Sequence, residues 1–509
     1  MRHGWPLDRR GSLKPPSTNA ARTSTNHLAK DNLKTQNIYL VSSLLTPNVC
    51  LRLCTMPKTE AEAKPKDALP SEEEVRPPDP HDDRHLFGGD IGSAVVIVFS
   101  HLFIYGMASS LFGYNIEDYL PSLRHYVVLI IYQFWQFAFV LVVPGMYLRG
   151  QTKLGYVCNA YSCFYYTLIV IALLHNTGVF DIRELTLEWP RYLTASVVLG
   201  NLYSVMLHVW YGLFPRKGEE HLKANLLSAG DFFMGAVTHP RFFGGIVDLK
   251  LVAETRVSWT LLLVMTVSAW LVCADRNDGL YFNPVLFMVL AHWLYGNACA
   301  KGEHFIPYTW DITTERFGWM LCFWNFSGVP FLYCFQSMYI VENFSIDPAQ
   351  SSVPLSVWYY AVLTIALLFV YYVWDEANFQ KCTFKMEFSP GGFDETDLPK
   401  MKSVKHRFPT FSECKAPVSR LECERGVLLT DGWYKYARKI HYTADTLMAL
   451  LWGLSCGFSS LWPYFYFGFF AAMISHRCYR DECRCSVKYG KTWEEYVKRV
   501  PYRFIPGVF

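Results

Sequence analysis

The chain has 509 residues, 51% hydrophobic, 17% aromatic and 18% charged. The charged share lies below that of an ordinary soluble domain and the aromatic share above it, which argues against a soluble globular protein. A net charge of +3 gives no reason to invoke nucleic acid, and the fifteen cysteines fall mostly in apolar segments, where a thiol behaves as a small buried hydrophobe rather than half of a disulfide.

Residues 1–88 lack helical or strand periodicity and end in PSEEEVRPPDPHDDRH. Such a composition cannot bury enough apolar surface to offset chain entropy, so a disordered N-terminal segment is expected. Arg2, Arg9 and Arg10 followed by polar residues do not make a cleavable signal peptide, and Met56 offers a second start. From residue 89 onward the chain is a succession of apolar runs, at 91–112, 126–148, 156–175, 192–214, 257–275, 281–298, 317–341, 354–374, 443–458 and 461–475. Most are long enough to cross a ~30 Å hydrocarbon core as a helix, and the last two are short enough to form one hairpin. The expected fold is therefore all-α: a polytopic integral membrane protein with about ten transmembrane helices. Asn201, His208, His292 and Asn297, inside these runs, are expected to face protein rather than lipid.

Loop charge orients the spans. The loops 149–155, 215–256, 299–316 and 375–442 and the tail after 476 are rich in Lys and Arg. The alternating loops, with Glu117, Asp118, Asp181, Glu184 and Glu188, are not. The positive-inside rule places both termini in the cytosol, and Asn343-Phe344-Ser345 becomes a lumenal glycosylation sequon beside the membrane.

Two motifs flank the last hairpin: DGWYKYARKIHYTAD, Asp431 to Asp445, and HRCYRDECRCSVKYG, His476 to Gly490. In the first, Arg438, His441, Tyr442 and Asp445 share one helix face. An interfacial aromatic anchor explains Trp433, Tyr434 and Tyr436, but not Asp445, which lies inside the apolar run. In the second, a basic cluster gripping anionic lipid is the simpler reading, weakened by Asp481, Glu482, Glu494 and Glu495. Arg and Lys at this density suit a phosphorylated aromatic ligand such as NADPH. There is no GxGxxG turn to cradle it, so side chains on helix ends and loops would have to do so. Cys478, Cys483 and Cys485 form C-x4-C-x-C, which matches no zinc ribbon or finger, and no metal site is read.

At these motifs residues 85–509 resemble the sterol reductase family of integral membrane enzymes. HRxxRDxxxCxxKYG is matched throughout from His476 to Gly490. A second signature reads GDFFMGAVTHPR, Gly230 to Arg241, with His239 in place of the usual Asn. AHWLYGNACAKGEHFIPYTWDI, FWNFSGVPF and ARKIHYTAD resemble the C-24(28) branch more than its C-14 and C-7 siblings. The resemblance implies an NADPH-dependent oxidoreductase of the endoplasmic reticulum membrane. It would protonate the C-24(28) double bond of a bilayer sterol and quench the cation with hydride, as the last step of ergosterol biosynthesis. It implies NADPH contacts in the region 375–509 from Lys381, Lys385, Trp433, Arg438, His441, Tyr442, Asp445, Arg477, Asp481 and Tyr489. Lys385 stands where relatives often carry Arg. Candidate proton donors are Tyr295, Glu303, His304, Tyr308, Asp311 and, through a relay, Asp481, with Phe323, Trp324 and Phe331 as candidate sterol-pocket lining. Besides sterol, NADPH and membrane lipid, other sterol-synthesis enzymes are candidate partners. An S-adenosylmethionine-dependent membrane methyltransferase leaves the long N-terminal set of spans without a use. A receptor-like protein leaves the cofactor motifs without one.

Overall fold

The computed structural model describes residues 87–149, 154–217, 224–388, 419–423 and 426–508. The expectation for residues 1–88 therefore lies almost wholly outside the described residues, and all of these belong to one compact unit.

Among the described residues five helices are long and apolar enough to cross a membrane: Gly89–Phe112, Ile116–Val142, Trp189–Leu213, Leu249–Arg276 and Val357–Lys385. At 1.5 Å per residue each exceeds the ~30 Å of a bilayer core. Leu249–Arg276 is 78% buried against 22–44% for the others, which makes it the central helix. The outer four turn apolar side chains such as Ile91, Phe99, Phe134 and Ile365 outward, a surface that only lipid satisfies. The protein is a mostly helical, multi-pass membrane protein. We label the principal helices α1 Gly89–Phe112, α2 Leu123–Val142, α3 Ala160–Asn176, α4 Trp189–Leu213, α5 Leu249–Arg276, α6 Val285–Lys301, α7 Phe335–Asn343, α8 Val357–Phe388, α9 Ile440–Leu454, α10 Phe465–Tyr489 and α11 Lys491–Arg499.

Of the other five expected spans, four are shorter or interrupted. α3 and α6 have 17 residues each and α9 has 15. The run 317–341 breaks into Trp319–Phe323, a π-helical stretch Trp324–Leu332 and α7. Pro330, which has no N–H to donate, lies inside the π stretch. The last run does not stop at 475: α10 continues unbroken to Tyr489, so the whole HRCYRDECRCSVKY motif is helical. It ends at Gly490, whose φ of 52° suits a residue without a side chain.

The all-α expectation needs a second correction. Among the described residues there are three antiparallel strand pairs: Met146–Arg149 with Gly155–Cys158, Arg241–Phe242 with Val247–Asp248, and Arg420–Cys423 with Gly426–Leu429. The first takes residues assigned above to a span, because Pro144 and Gly145 end α2 at Val142.

Polar groups inside the spans are partnered within the protein, as expected. Asn201 Oδ1 accepts from Trp319 Nε1 at 2.8 Å, Asn297 Oδ1 accepts from Tyr165 at 2.8 Å, and His292 Nδ1 meets Thr266 Oγ1 at 2.6 Å. His208 Nε2 lies 3.4 Å from Leu226 O. The second glycine of GDFFMG has a structural reason. Gly235 has φ +102°, and a Cβ there would sit 2.4 Å from the Gly318 nitrogen. Only bare backbone lets the two segments cross. On the other side of the molecule α9 packs along α8, where the hydroxyls of Tyr359 and Tyr360 donate to the carbonyls of Leu454 and Ser455 at 2.7 and 2.8 Å. That packing brings the C-terminal ends of α6, α8 and α10 and the start of α9 around one space.

Candidate active site

That space is a cavity of about 600 Å³, within the range of small-molecule and cofactor sites. Several sequence-distant segments wall it. α8 contributes Lys381 and Lys385, one turn apart and so on one face. The start of α9 contributes His441, Tyr442 and Asp445. α10 contributes Arg477, Asp481 and Cys485, spaced by four, with Lys488 one turn further. The stretch after α6 contributes His304, Tyr308 and Asp311, and α6 itself contributes Tyr295.

Charge is distributed unevenly around these walls. Eight Lys and Arg side chains line the cavity against five Asp and Glu. Several cations are already neutralised. Arg477 Nη2 meets Asp311 Oδ2 at 2.7 Å, Lys439 pairs with Asp481, and Lys301 Nζ meets Asp375 Oδ2 at 2.7 Å. Arg438 donates to Glu482 at 2.9 Å and to the carbonyls of Val500 and Pro501 at 2.7 and 2.8 Å, so it secures the C-terminal tail. Among the described residues Lys381, Lys385, Arg484 and Lys488 have no carboxylate within ion-pair distance. Cations without counterions inside a cavity are what a phosphate ligand requires.

Protonation states follow from the partners. Burial would push Asp311 up, but Arg477 and then Lys250 hold the carboxyl below its ordinary value. Burial acts likewise on Asp481, and Lys439 outweighs it. Burial and three lysines push His441 well below the usual histidine range, so its imidazole is neutral. Tyr434 donates to Ala377 O at 3.2 Å and lies 3.1 Å from His441 Nδ1, which therefore carries the hydrogen; Nε2 then accepts from Lys381 Nζ at 3.2 Å. Burial pushes His304 down to about 4.

At the apolar end the ring of Tyr295 lies between Trp259, 4.3 Å away, and Trp374, 5.0 Å away. Its hydroxyl donates to Asp445 Oδ2 at 3.4 Å. Two turns of sequence-distant helix thus place a phenol against a carboxyl beside an aromatic wall.

Not every expected residue reaches the cavity. Glu303 lies beneath it, fully buried, where it meets Arg256 at 2.5 Å and accepts from the Ala160 amide at 2.7 Å. A carboxylate used in this way is a packing element, not a free acid. Trp433 is also outside the lining, because its indole donates to Glu376 at 2.7 Å and its amide to Gln380 at 2.9 Å. Phe323 and Phe331 are core residues with no exposure, and Trp324 stacks on Phe469 at 5.4 Å; none of the three lines this cavity. Tyr295, His304, Tyr308, Asp311, Lys381, Lys385, Arg438, His441, Tyr442, Asp445, Arg477, Asp481 and Tyr489 do come together. Glu254, Trp374, Lys439, Arg484 and Lys488 were missed. Glu254 was read as part of the loop 215–256, and only the start of α5 at Leu249 puts it in a helix. Among the described residues no three His, Cys, Asp or Glu side chains gather as a metal site.

Fold and cavity define a multi-pass membrane protein with a cation-lined chamber where its helix ends meet. The profile of the ergosterol biosynthesis ERG4/ERG24 family matches residues 96–509, and the chain belongs to that sterol reductase family. It is similar to the Delta(24(24(1)))-sterol reductase erg4A of Aspergillus fumigatus, 37% identical over 72% of this chain and 76% of the relative. It is 38% identical to the Delta(24(24(1)))-sterol reductase of Gibberella zeae over 73% of this chain and 60% of that longer protein. The Delta(14)-sterol reductase of Dictyostelium discoideum is 31% identical over 83% of this chain and 91% of the relative. The chain is thus a sterol reductase homologue, an oxidoreductase by family.

Proposed function

We propose that the protein uses NADPH to reduce the C-24(28) double bond of a sterol drawn from the endoplasmic reticulum membrane. Both termini are cytosolic in this reading, and the shorter apolar helices complete about ten crossings. The observation that carries it is the convergence of Lys381, Lys385, Arg477 and Asp481 with Tyr295 and Asp445 on one cavity. The choice of bond is supported by the relatives at 37 and 38% identity, both named Delta(24(24(1)))-sterol reductases.

The cavity fits NADPH through its cations without counterions. Lys381, Lys385, Arg484 and Lys488 take the phosphates, and Tyr442 and Tyr489 offer ring faces. When bound, the dinucleotide supplies hydride. The chain's own task is the proton. An alkene is a weak base, so the acid must be held against it in a dry pocket. When Asp445 carries a proton, the contact with Tyr295 runs in the opposite sense. The carboxyl then donates to the phenol oxygen, and the phenol hydrogen is free to pass to C-28. A tertiary cation is left at C-24 for hydride to reach. Asp311 holds Arg477, and Asp481 holds Lys439, in fixed positions before the ligand arrives.

Sterol profiling after deletion of the gene tests the reading. Accumulation of 24(28)-methylene sterols is expected, whereas build-up of Δ14 or Δ7 sterols would transfer the protein to a sibling activity. Thermal stabilisation by NADPH and not by S-adenosylmethionine separates it from a methyltransferase.

A further inference from the structure

Each reduction of a carbon–carbon double bond by hydride consumes one proton, and the buried end of the cavity around Tyr295 must be resupplied with it. We propose that Glu254 is the proton store that reloads Asp445 and Tyr295 between turnovers. The proposal rests on the sterol-reductase reading of the cavity and adds to it a residue with a defined role.

Glu254 lies in a π-helical turn, Ala253–Ser258, inserted in the central helix α5. Such a turn carries an extra residue and forfeits regular hydrogen bonding, and it recurs where a side chain must be re-aimed at a functional site. Here it turns Glu254 into the cavity while its neighbours Thr255 and Arg256 point away, both bonded to Glu303 beneath. Among the described residues the Glu254 carboxyl has no hydrogen bond and no ion pair. The cations near it are already engaged. Lys250, one turn back, donates to the carbonyls of Thr238, Ile312 and Glu315, and Arg477 from α10 is held by Asp311.

The groups that face Glu254 are Asp248 and Lys250 from its own segment, Asp311 from the short helix Trp310–Thr313, and Arg477 from α10. From α6, Cys299, one turn from Tyr295, lines the same cavity. The carboxyls of Asp311, Glu254 and Asp445 thus line one cavity, with Asp311 salt-bridged and Glu254 without a cation of its own. Two carboxyls that share one arginine do not both ionise readily, and a carboxyl in a membrane-embedded helix without a partner holds its proton.

The steps balance. The O–H bond of the Tyr295 phenol breaks as a C–H bond forms at the alkene, and the phenol takes the Asp445 proton. Hydride with its electron pair, which the dinucleotide would supply, would form the second C–H bond and so account for both electrons gained at the C-24(28) bond. Glu254 then gives its proton to the Asp445 carboxylate through cavity water and regains one from water entering beside Asp311.

Glu254→Gln tests this, with Glu254→Asp as the conservative control. The Gln variant is expected to bind NADPH with a Kd within twofold of wild type and to keep its sterol KM. Its kcat should fall about 10²-fold and its kcat–pH profile should change shape; Glu254→Asp should restore much of the rate. A Gln variant with wild-type kcat and pH profile overturns the proposal. So does one that loses NADPH binding, because the role is then structural. A wild-type protein that binds no NADPH instead overturns the underlying reading of the cavity.

Discussion

Arg477 is the side chain on which the cofactor reading of the cavity bears most heavily. Its guanidinium meets Asp311 at 2.7 Å, with the two side chains 28% and 23% exposed. Removing one partner of a fully buried pair costs about 3–5 kcal/mol. Partial exposure screens this one, so about 2 kcal/mol of stability is the expected loss for Arg477→Ala. The second effect is on the ligand. A hydrogen bond to a charged group contributes about 1.5–3 kcal/mol, so the variant should bind NADPH about 10- to 100-fold more weakly. Asp311→Asn separates the two effects, because it loses the ion pair and frees the arginine. It should be destabilised to a similar or smaller extent and lose less NADPH affinity than Arg477→Ala, because the arginine is still present though no longer held in place. Titration of NADPH fluorescence in detergent gives the affinities, and thermal melts of the same samples give the stabilities. Arg477→Ala with wild-type NADPH affinity, or Asp311→Asn with the same affinity loss as Arg477→Ala, would refute the assignment of Arg477 to the cofactor.

Tyr295→Phe keeps the stack between Trp259 and Trp374 but deletes the hydroxyl. NADPH affinity should be unchanged, with single-turnover reduction about 10²-fold slower. Glu303→Gln should behave as a folding variant. Arg256, 1% exposed, is left without its counter-charge, and a loss of about 3–5 kcal/mol should appear as poor yield or a lowered melting temperature without a changed pH–rate profile. For pH, burial holds His304 at about 4 and His441 below its ordinary value. The unfolded chain then binds more protons than the folded one below about pH 6.5. Stability is therefore full above that pH and should decline steadily toward pH 4, measurable as a falling melting temperature. Gly235→Ala adds a Cβ 2.4 Å from the Gly318 nitrogen at a backbone φ of +102°. It should abolish accumulation of folded protein, seen as loss of the monodisperse peak in size-exclusion chromatography.

How far the sequence reaches depends on which property it encodes locally. The α10 wall was legible because Arg477 and Asp481 fall in one short, densely charged motif that directly follows an apolar run. The extent of α10 was not, since hydropathy falls at His476 while Arg, Lys and Glu remain good helix formers. Apolar runs hide their own interruptions: nothing in the continuous hydrophobic stretch 317–341 announces the π-helical turn at Trp324–Leu332. Glu303 was a candidate as an acid in the loop after the span 281–298, but its partner Arg256 lies 47 residues earlier, a distance no local pattern spans. Trp433 was misplaced for the same reason, because Glu376 on α8 takes its indole. In each case a long-range polar partner, invisible to periodicity, decided where the side chain went.

The most direct measurement uses NADPH carrying deuterium at the transferable position of the nicotinamide, incubated with purified protein and a 24(28)-methylene sterol. Mass and NMR analysis of the product should find one deuterium at C-24, with the proton at C-28 drawn from solvent. A product without deuterium, or with deuterium at C-14 or C-7, would contradict hydride delivery to the C-24(28) bond in this cavity.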